Sequence, residues 1–271
     1  ILCIKNSFHG RTLAALSATG NPKIHAGFEP LVSGFTTIPY NDLDAIDSAL
    51  NASDNVVAIM VEPIQGEGGI VVPDEEYLPG IRRICDRHGL LMMLDEVQSG
   101  MGRTGRWFAW QHSGAMPDVM TLAKGLANGI PIGVCLARGE AAQVLSPGTH
   151  GSTFGGNPFS CSVANTVVQV IEEERLVEQA EEMGKRLWNN VEAGLFAPER
   201  MVQMRGKGMM MGIEMDTSFT DLVSVALERG LLVNVTADRV IRMLPPLNLT
   251  PEEVDMVSSR LCDSIKALHN R

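Results

Sequence analysis

The 271-residue chain reads as α/β: a large domain on a mostly parallel sheet, followed by a smaller α+β domain at the C-terminal end. Two observations predict this. Short apolar runs alternate with amphipathic stretches, the pattern of βαβ units whose strands are covered on both faces. A long helical pattern from Pro158 then leads into strands and helices of a different arrangement. A composition 45% hydrophobic and 20% charged fits one large globular domain or two moderate ones.

Taken in order, the predicted strands of the first part are Ile1–Lys5, Gly34–Ile38, Val56–Val61, Leu90–Leu94, Val119–Leu122 and Ile132–Leu136. A helix is predicted over Glu75–His88, because Leu78, Ile81, Ile84 and Cys85 recur at helical spacing and Gly89 can end it. From Asn157-Pro158 the apolar positions Val163, Val167, Val170 and Ile171 predict a helix. It is interrupted at Glu172-Glu-Glu-Arg175 and resumes to about Val191. We divide the chain into a large domain over 1–165 and, over 166–271, a bridging helix with a small domain. The latter is predicted as strand Gly208–Met215, helix Thr220–Glu228, strands Leu231–Val235 and Val240–Met243, and helix Pro251–His269. The chain opens without Met and inside the apolar run Ile1-Leu-Cys-Ile4. That reads as a strand in mid-fold, so the N-terminal part of the fold is expected to be missing.

Several function classes are excluded early. A net charge of -10 offers nothing to nucleic acid or to an anionic membrane, and an anionic substrate would need locally placed arginines. No apolar run is long enough for a membrane span, and there is no basic-then-apolar leader. Cys3, Cys85, Cys135, Cys161 and Cys262 show no C-x-x-C spacing and no neighbouring His pair. They are expected to be buried free thiols in a reducing cytoplasm, with no metal site.

Chemistry concentrates where strands end. Leu90-Leu-Met-Met-Leu-Asp95 puts a carboxylate at the carboxyl edge of a buried strand, the edge at which open parallel sheets bind ligands. A carboxylate there could serve a cation such as a protonated pyridine, although a loop or capping acid reads equally well from position alone. Asp118-Val-Met-Thr-Leu-Ala-Lys124-Gly places an amine at the same edge. Burial would lower its pKa and make it a nucleophile toward an aldehyde. His150-Gly-Ser152-Thr153-Phe-Gly-Gly156-Asn-Pro158 offers hydroxyls and free amides to a phosphate ahead of a helix. Gly100-Met-Gly102-Arg-Thr-Gly105 matches a dinucleotide fingerprint but trails its strand by several residues, so it is read as a loop. His9 and His150 lack partner spacing for metal or triad chemistry and are given structural roles.

Taken together, Phe8-His-Gly-Arg11-Thr, Val61-Glu62-Pro-Ile-Gln-Gly-Glu67-Gly-Gly, Asp95-Glu-Val-Gln98-Ser-Gly, Lys124-Gly and Ser152-Thr153-Phe-Gly-Gly resemble, in order and spacing, the class III aminotransferases of fold type I. The resemblance runs through to the C-terminus and implies pyridoxal 5'-phosphate as cofactor. It makes Lys124 the lysine that bonds the cofactor's aldehyde and Asp95 the partner of its ring nitrogen. Gln98 lies near the phenolic oxygen and Phe8 stacks on the ring. Ser152 and Thr153 bind the phosphate of the neighbouring subunit's cofactor, which implies a homodimer with shared active sites. Arg11 resembles the arginine that takes the substrate carboxylate, and Arg242 the second arginine, which Glu67 neutralises or releases.

Within the family the chain is most similar to the branch that works on acetylornithine and ornithine, with 2-oxoglutarate as acceptor. An enzyme acting on 4-aminobutyrate or a diamine shares the Glu67–Arg242 pair. A non-catalytic scaffold is the contrasting class, and intact Lys124, Asp95, Gln98, Arg11 and Thr153 argue against it. The family's phosphate-gripping Gly-Thr/Ser loop, upstream of Phe8, has no counterpart in this sequence.

Overall fold

The computed structural model describes residues 1–195 and 198–269. These form two compact units, and the chain passes between them more than once. The first comprises Ile1–Gly66, Pro73–Gly100 and Phe108–Gln169; the second comprises Glu67–Val72, Met101–Trp107 and the chain from Val170 onward.

The first unit is built on six strands: β1 (Leu2–Ile4), β2 (Thr36–Ile38), β3 (Ala58–Val61), β4 (Leu91–Asp95), β5 (Val119–Leu122) and β6 (Val134–Ala137). Their order is β2-β1-β3-β4-β5-β6. The first five run parallel, with Val61 beside Leu94 and Asp95 beside Thr121. β6 is antiparallel to β5. The helices here are α1 (Leu13–Ala18), α2 (Pro22–His25), α3 (Leu43–Ala52), α4 (Tyr77–His88) and the start of α5 (Pro158–Glu173). α4 stops where Gly89 takes φ +65°, a left-handed conformation that glycine adopts without a Cβ clash. α5 starts where Asn157 Oδ1 accepts the Ser160 N–H at 2.9 Å, with Pro158 at the first helical position. The core joins Leu2, Ile4, Ile59, Val61, Met92 and Leu94 of the sheet to Ile81, Ile84 and Cys85 of α4. Burying these side chains is the main term that holds the strand ends in register.

The second unit has four antiparallel strands: β7 (Met201–Lys207), β8 (Met210–Met215), β9 (Asn234–Thr236) and β10 (Val240–Met243), in the order β7-β8-β10-β9. α6 (Leu176–Gly194) packs on α8 (Pro251–His269), and α7 (Leu222–Glu228) also packs on α8. Thr250 and Glu253 form a capping box: the Thr250 N–H donates to Glu253 Oε2 at 2.8 Å and the Glu253 N–H to Thr250 Oγ1 at 3.2 Å. The core is Leu187, Val191, Met209, Met211, Ile213, Met215, Ile241 and Leu261 with their neighbours, so Met209-Met-Met211 is core rather than surface.

Several expectations need correction. The strand expected from Gly208 begins at Met210, because Gly208 at φ +54° turns the hairpin from β7. The strand expected over Leu231–Val235 lies at Asn234–Thr236. Cys135 and Cys161 are exposed, whereas Cys3, Cys85 and Cys262 are buried as expected, and all five are free. Residues 100–105 form turns and open no helix. Arg103 instead donates from Nη1 to the carbonyls of Met209, at 3.1 Å, and Pro245. Among the described residues no helix is long and apolar enough to cross a membrane, and no cluster of side chains could hold a metal ion.

Candidate active site

Parallel strands in register deliver their carboxyl ends to one edge of the sheet, and that edge gathers the polar residues of the first unit. β1 leads to Phe8 and His9, β3 to Glu62, β4 ends on Asp95, and β5 leads to Lys124. Asp95 is 6% exposed. Its Oδ2 lies 2.7 Å from His9 Nδ1, and its Oδ1 accepts the Val97 N–H at 3.1 Å. The His9 side chain is fully buried, its backbone N–H donates to Thr19 Oγ1 at 2.9 Å, and its Nε2 has no hydrogen-bond partner.

Glu62 is buried on the neighbouring strand end. Oε2 accepts the Phe8 N–H at 3.0 Å and Oε1 accepts the Gly66 N–H at 3.2 Å. Burial raises its pKa from 4.5 to about 7; His9 and the two amides pull it down, and Asp95 pushes it up. Glu96 is buried too, and burial raises its pKa, but its oxygens are taken by the Ser99 hydroxyl and the Ala109 and Trp110 N–H groups. It staples the loop after β4.

Lys124 follows β5 as expected, yet it is exposed, so this chain does not supply the burial expected to lower its pKa. Its backbone sits at φ +43°, a left-handed conformation that costs a non-glycine residue about 1 kcal/mol and recurs at functional sites. The segment from Lys124 to Ile132 lines a cavity of about 420 Å³. Gln98 lies against Gly66, where a Cβ would stand 2.4 Å from the Gln98 amide, so the glycine makes room for that side chain. The exposed Arg11 places its guanidinium carbon 5.7 Å from the centroid of the Phe8 ring. Ser152 and Thr153 lie on an exposed loop before α5, where Ser152 Oγ accepts the Gly155 N–H at 3.0 Å.

The other two residues belong to the second unit. Arg242 on β10 donates from Nη1 to Glu67 Oε1 at 2.6 Å, and its buried Nε has no partner. The Glu67 carbonyl accepts the Thr236 hydroxyl of β9 at 2.6 Å, which fixes the backbone carrying that carboxylate. A cavity of about 440 Å³ beside Arg242 is lined by Leu232, Val233, Leu244, Pro245 and their neighbours.

The residues of the sheet edge fit pyridoxal 5'-phosphate by chemistry. They offer a buried carboxylate for a protonated ring nitrogen, a primary amine for an aldehyde, an aromatic face, and hydroxyls in a glycine-rich loop for a phosphate. Two residues there received no chemical role from the sequence. His9 was assigned structure alone, and Glu62 appeared only inside a motif. Neither has a local spacing that reveals its contacts: His9 and Asp95 are 86 residues apart and Phe8 and Glu62 are 54 apart.

The family model "Aminotransferase class-III" matches residues 1–265. Acetylornithine aminotransferase of Nitrosomonas europaea is 52% identical over 257 residues, covering 95% of this chain and 65% of that protein. Acetylornithine aminotransferase of Methanocaldococcus jannaschii is 45% identical, covering 96% of this chain and 65% of the relative. Among solved structures, the ornithine aminotransferase of Toxoplasma gondii superposes with a TM-score of 0.94 at 36% identity, covering 99% of this chain and 65% of that one. The chain therefore spans just under two thirds of the length of these relatives.

Proposed function

Because the chain belongs to the class III aminotransferases, we propose that this protein moves the terminal amino group of N-acetylornithine to 2-oxoglutarate, giving the semialdehyde and glutamate. Succinylornithine and ornithine are the neighbouring donors. The observation that carries the reading is the juxtaposition of a buried carboxylate, Asp95, and an amine, Lys124, at the ends of adjacent parallel strands.

Bound pyridoxal 5'-phosphate supplies an aldehyde that bonds amines and a protonated ring that withdraws electrons from the substrate carbon. Lys124 Nζ holds the aldehyde and, once the substrate's amine takes its place, carries a proton away from that carbon. Asp95 is an acceptor-only group when ionised, and it holds the proton on the ring nitrogen. Gln98 donates to the phenolic oxygen, and Phe8 packs on the ring face. Ser152 and Thr153 bind the phosphate held by a second copy of the chain, so the working form is a homodimer in the cytoplasm.

Arg11 pairs with the substrate's α-carboxylate, for which a planar guanidinium is suited. The Glu67–Arg242 pair supports a switch. Glu67 neutralises Arg242 while the donor's side chain is bound, then turns away so that Arg242 takes the second carboxylate of 2-oxoglutarate. Glu67 is 40% exposed and Arg242 13%, which leaves the carboxylate the freer of the two to move. The test is a panel of donors on the full-length protein with 2-oxoglutarate as acceptor, followed by the absorbance of the bound cofactor. The expected order places N-acetylornithine first. A preference for 4-aminobutyrate overturns the substrate and leaves the reaction class standing.

A further inference from the structure

Outside the residues assigned above, one group of buried titratable side chains has no role in the reaction as written: His9 and Glu62, beside Asp95. Three facts define it. His9 Nδ1 lies 2.7 Å from Asp95 Oδ2, with the imidazole side chain wholly buried. Both Glu62 oxygens accept backbone N–H groups, and one of those donors is Phe8, the residue preceding His9. His9 Nε2 is buried without a partner, so one ring nitrogen is committed and the other is not.

An ionised Asp95 has no proton to give, so the proton between Asp95 and His9 sits on Nδ1. The charge of the imidazole is then decided at Nε2. Two buried carboxylates favour a proton there, because each is destabilised by burial and by the other. Glu62 shows this: His9 pulls its pKa down and Asp95 pushes it up.

We infer that His9 is a positioning residue for Asp95, and that His9, Glu62 and Asp95 form one proton-sharing unit in which Nδ1–H orients the Asp95 carboxylate while Nε2 and Glu62 carry the proton that varies with pH. The inference deepens the proposed function, since it rests on Asp95 serving the ring nitrogen. Other titratable groups facing the unit are Glu96 next to Asp95, Lys124 at the end of the adjacent strand, and Tyr40, whose hydroxyl donates to the Glu62 carbonyl at 3.1 Å. Tyr77 packs edge-on against Tyr40. The tyrosines stay neutral: burial lifts Tyr40 well above its ordinary value and Tyr77 beyond physiological pH. Glu96 is held by its three donors. The proton that moves near neutral pH therefore belongs to the His9–Glu62 pair.

The experiment has two arms, both on the full-length protein. In the first, the cofactor is removed and the ring nitrogen-15 shifts of His9 are followed against pH, with the signal identified by its loss in His9→Asn. Nδ1 is expected to stay protonated throughout. The Glu62→Gln variant, lacking the anion, is expected to lower the Nε2 midpoint by about one pH unit. An unprotonated Nδ1, or a midpoint unmoved by Glu62→Gln, overturns the inference. In the second arm the protein carries pyridoxal 5'-phosphate. His9→Leu is expected to move the pH midpoint of the visible band and to weaken cofactor retention on dialysis about tenfold, the scale of one hydrogen bond to a charged group. His9→Asn keeps an N–H near the Nδ1 position and is expected to recover most of that loss. Equal impairment of the two variants, both unfolding cooperatively, assigns His9 a packing role and overturns positioning. Wild-type protein that takes up no cofactor overturns the proposed function, and the ring shifts then decide the proton-sharing unit separately.

Discussion

In the six-stranded unit Glu62 is 3% exposed among backbone amides, a histidine and another carboxylate, whereas in the four-stranded unit Glu214 lies between the guanidinium groups of Arg205 and Arg239. Burial drives the first carboxylate up to about 7; hydrogen bonding to Arg205 and the charges of both arginines drive the second below its ordinary range. The parallel sheet gathers chemically tense groups at one edge, because all of its strand ends point the same way. The antiparallel sheet alternates strand direction and spreads its charges along a half-buried face, where each finds a counter-ion. Reactive chemistry is thus expected in the first unit, while the second contributes packing and the Glu67–Arg242 pair.

The largest effect expected from this contrast is on rate. Lys124→Ala in the full-length protein is expected to lower transamination by roughly a thousandfold, the scale of removing a nucleophile that also transfers protons. It should also abolish the visible absorbance of the bound cofactor. Thermal unfolding should change little, since Lys124 is exposed. Turnover retained at a tenth of wild type or more breaks the assignment. The opposite separation is expected of Leu187→Ala in α6, whose side chain is fully buried in the second core. The cavity left behind should cost about 3 kcal/mol in denaturant unfolding. A cost under about 1 kcal/mol would mean that this core collapses around the gap and is less specifically packed than its burial implies.

Glu62→Gln addresses pH. A carboxyl whose folded pKa is about 7 against an ordinary 4.5 binds a proton more tightly in the folded state. Its contribution to stability is fully present below pH 4.5 and is lost as pH rises through about 7, which amounts to about 3 kcal/mol over that window. The Gln variant cannot titrate, so its stability should lack that decline. It also turns an amide N–H toward one of the two backbone donors, which lowers stability equally at every pH. The slope is therefore the readout. An unchanged slope from pH 4.5 to 7 would remove Glu62 from the account of buried charge.

How much of this was legible beforehand depended on how local the signal is. Strand β5 and strand β10 fall where their apolar runs predict, as does helix α8, because each is bounded by turn or capping residues that act within a few positions. The strand ends bearing Asp95 and Lys124 followed from the same runs. Helix α3 was missed: it is ten residues long and buries one residue, Ile46, so its stripe is narrow, although Asp42 caps it by accepting the Ala45 N–H. Strand β7 was missed because Arg205 and Gly206 interrupt its alternation, and its Arg205 is turned to the Gly69 carbonyl and Glu214. The His9–Asp95 contact was invisible for a different reason. It depends on β1 and β4 lying on either side of β3, which is a property of sheet order and not of spacing.

The smallest expected effect sharpens the comparison from the other side. Glu214 is 14% exposed, so its pairs with Arg205 and Arg239 are partly screened by water. A depressed folded pKa contributes stability above the ordinary carboxylate value, and that stability is lost as pH falls through the folded pKa. Glu62 and Glu214 should therefore tilt stability in opposite directions, the first losing it toward neutral pH and the second toward acid. Replacing Glu214 with Gln keeps an acceptor for one arginine and removes the charge. The expected cost is about 1 kcal/mol at neutral pH, shrinking as acid titration neutralises the wild-type carboxylate and as salt screens the pair. A cost that stays constant from neutral pH into acid would mean that shape alone holds Glu214 in place, and the contrast between the two sheets would then rest on packing and not on charge.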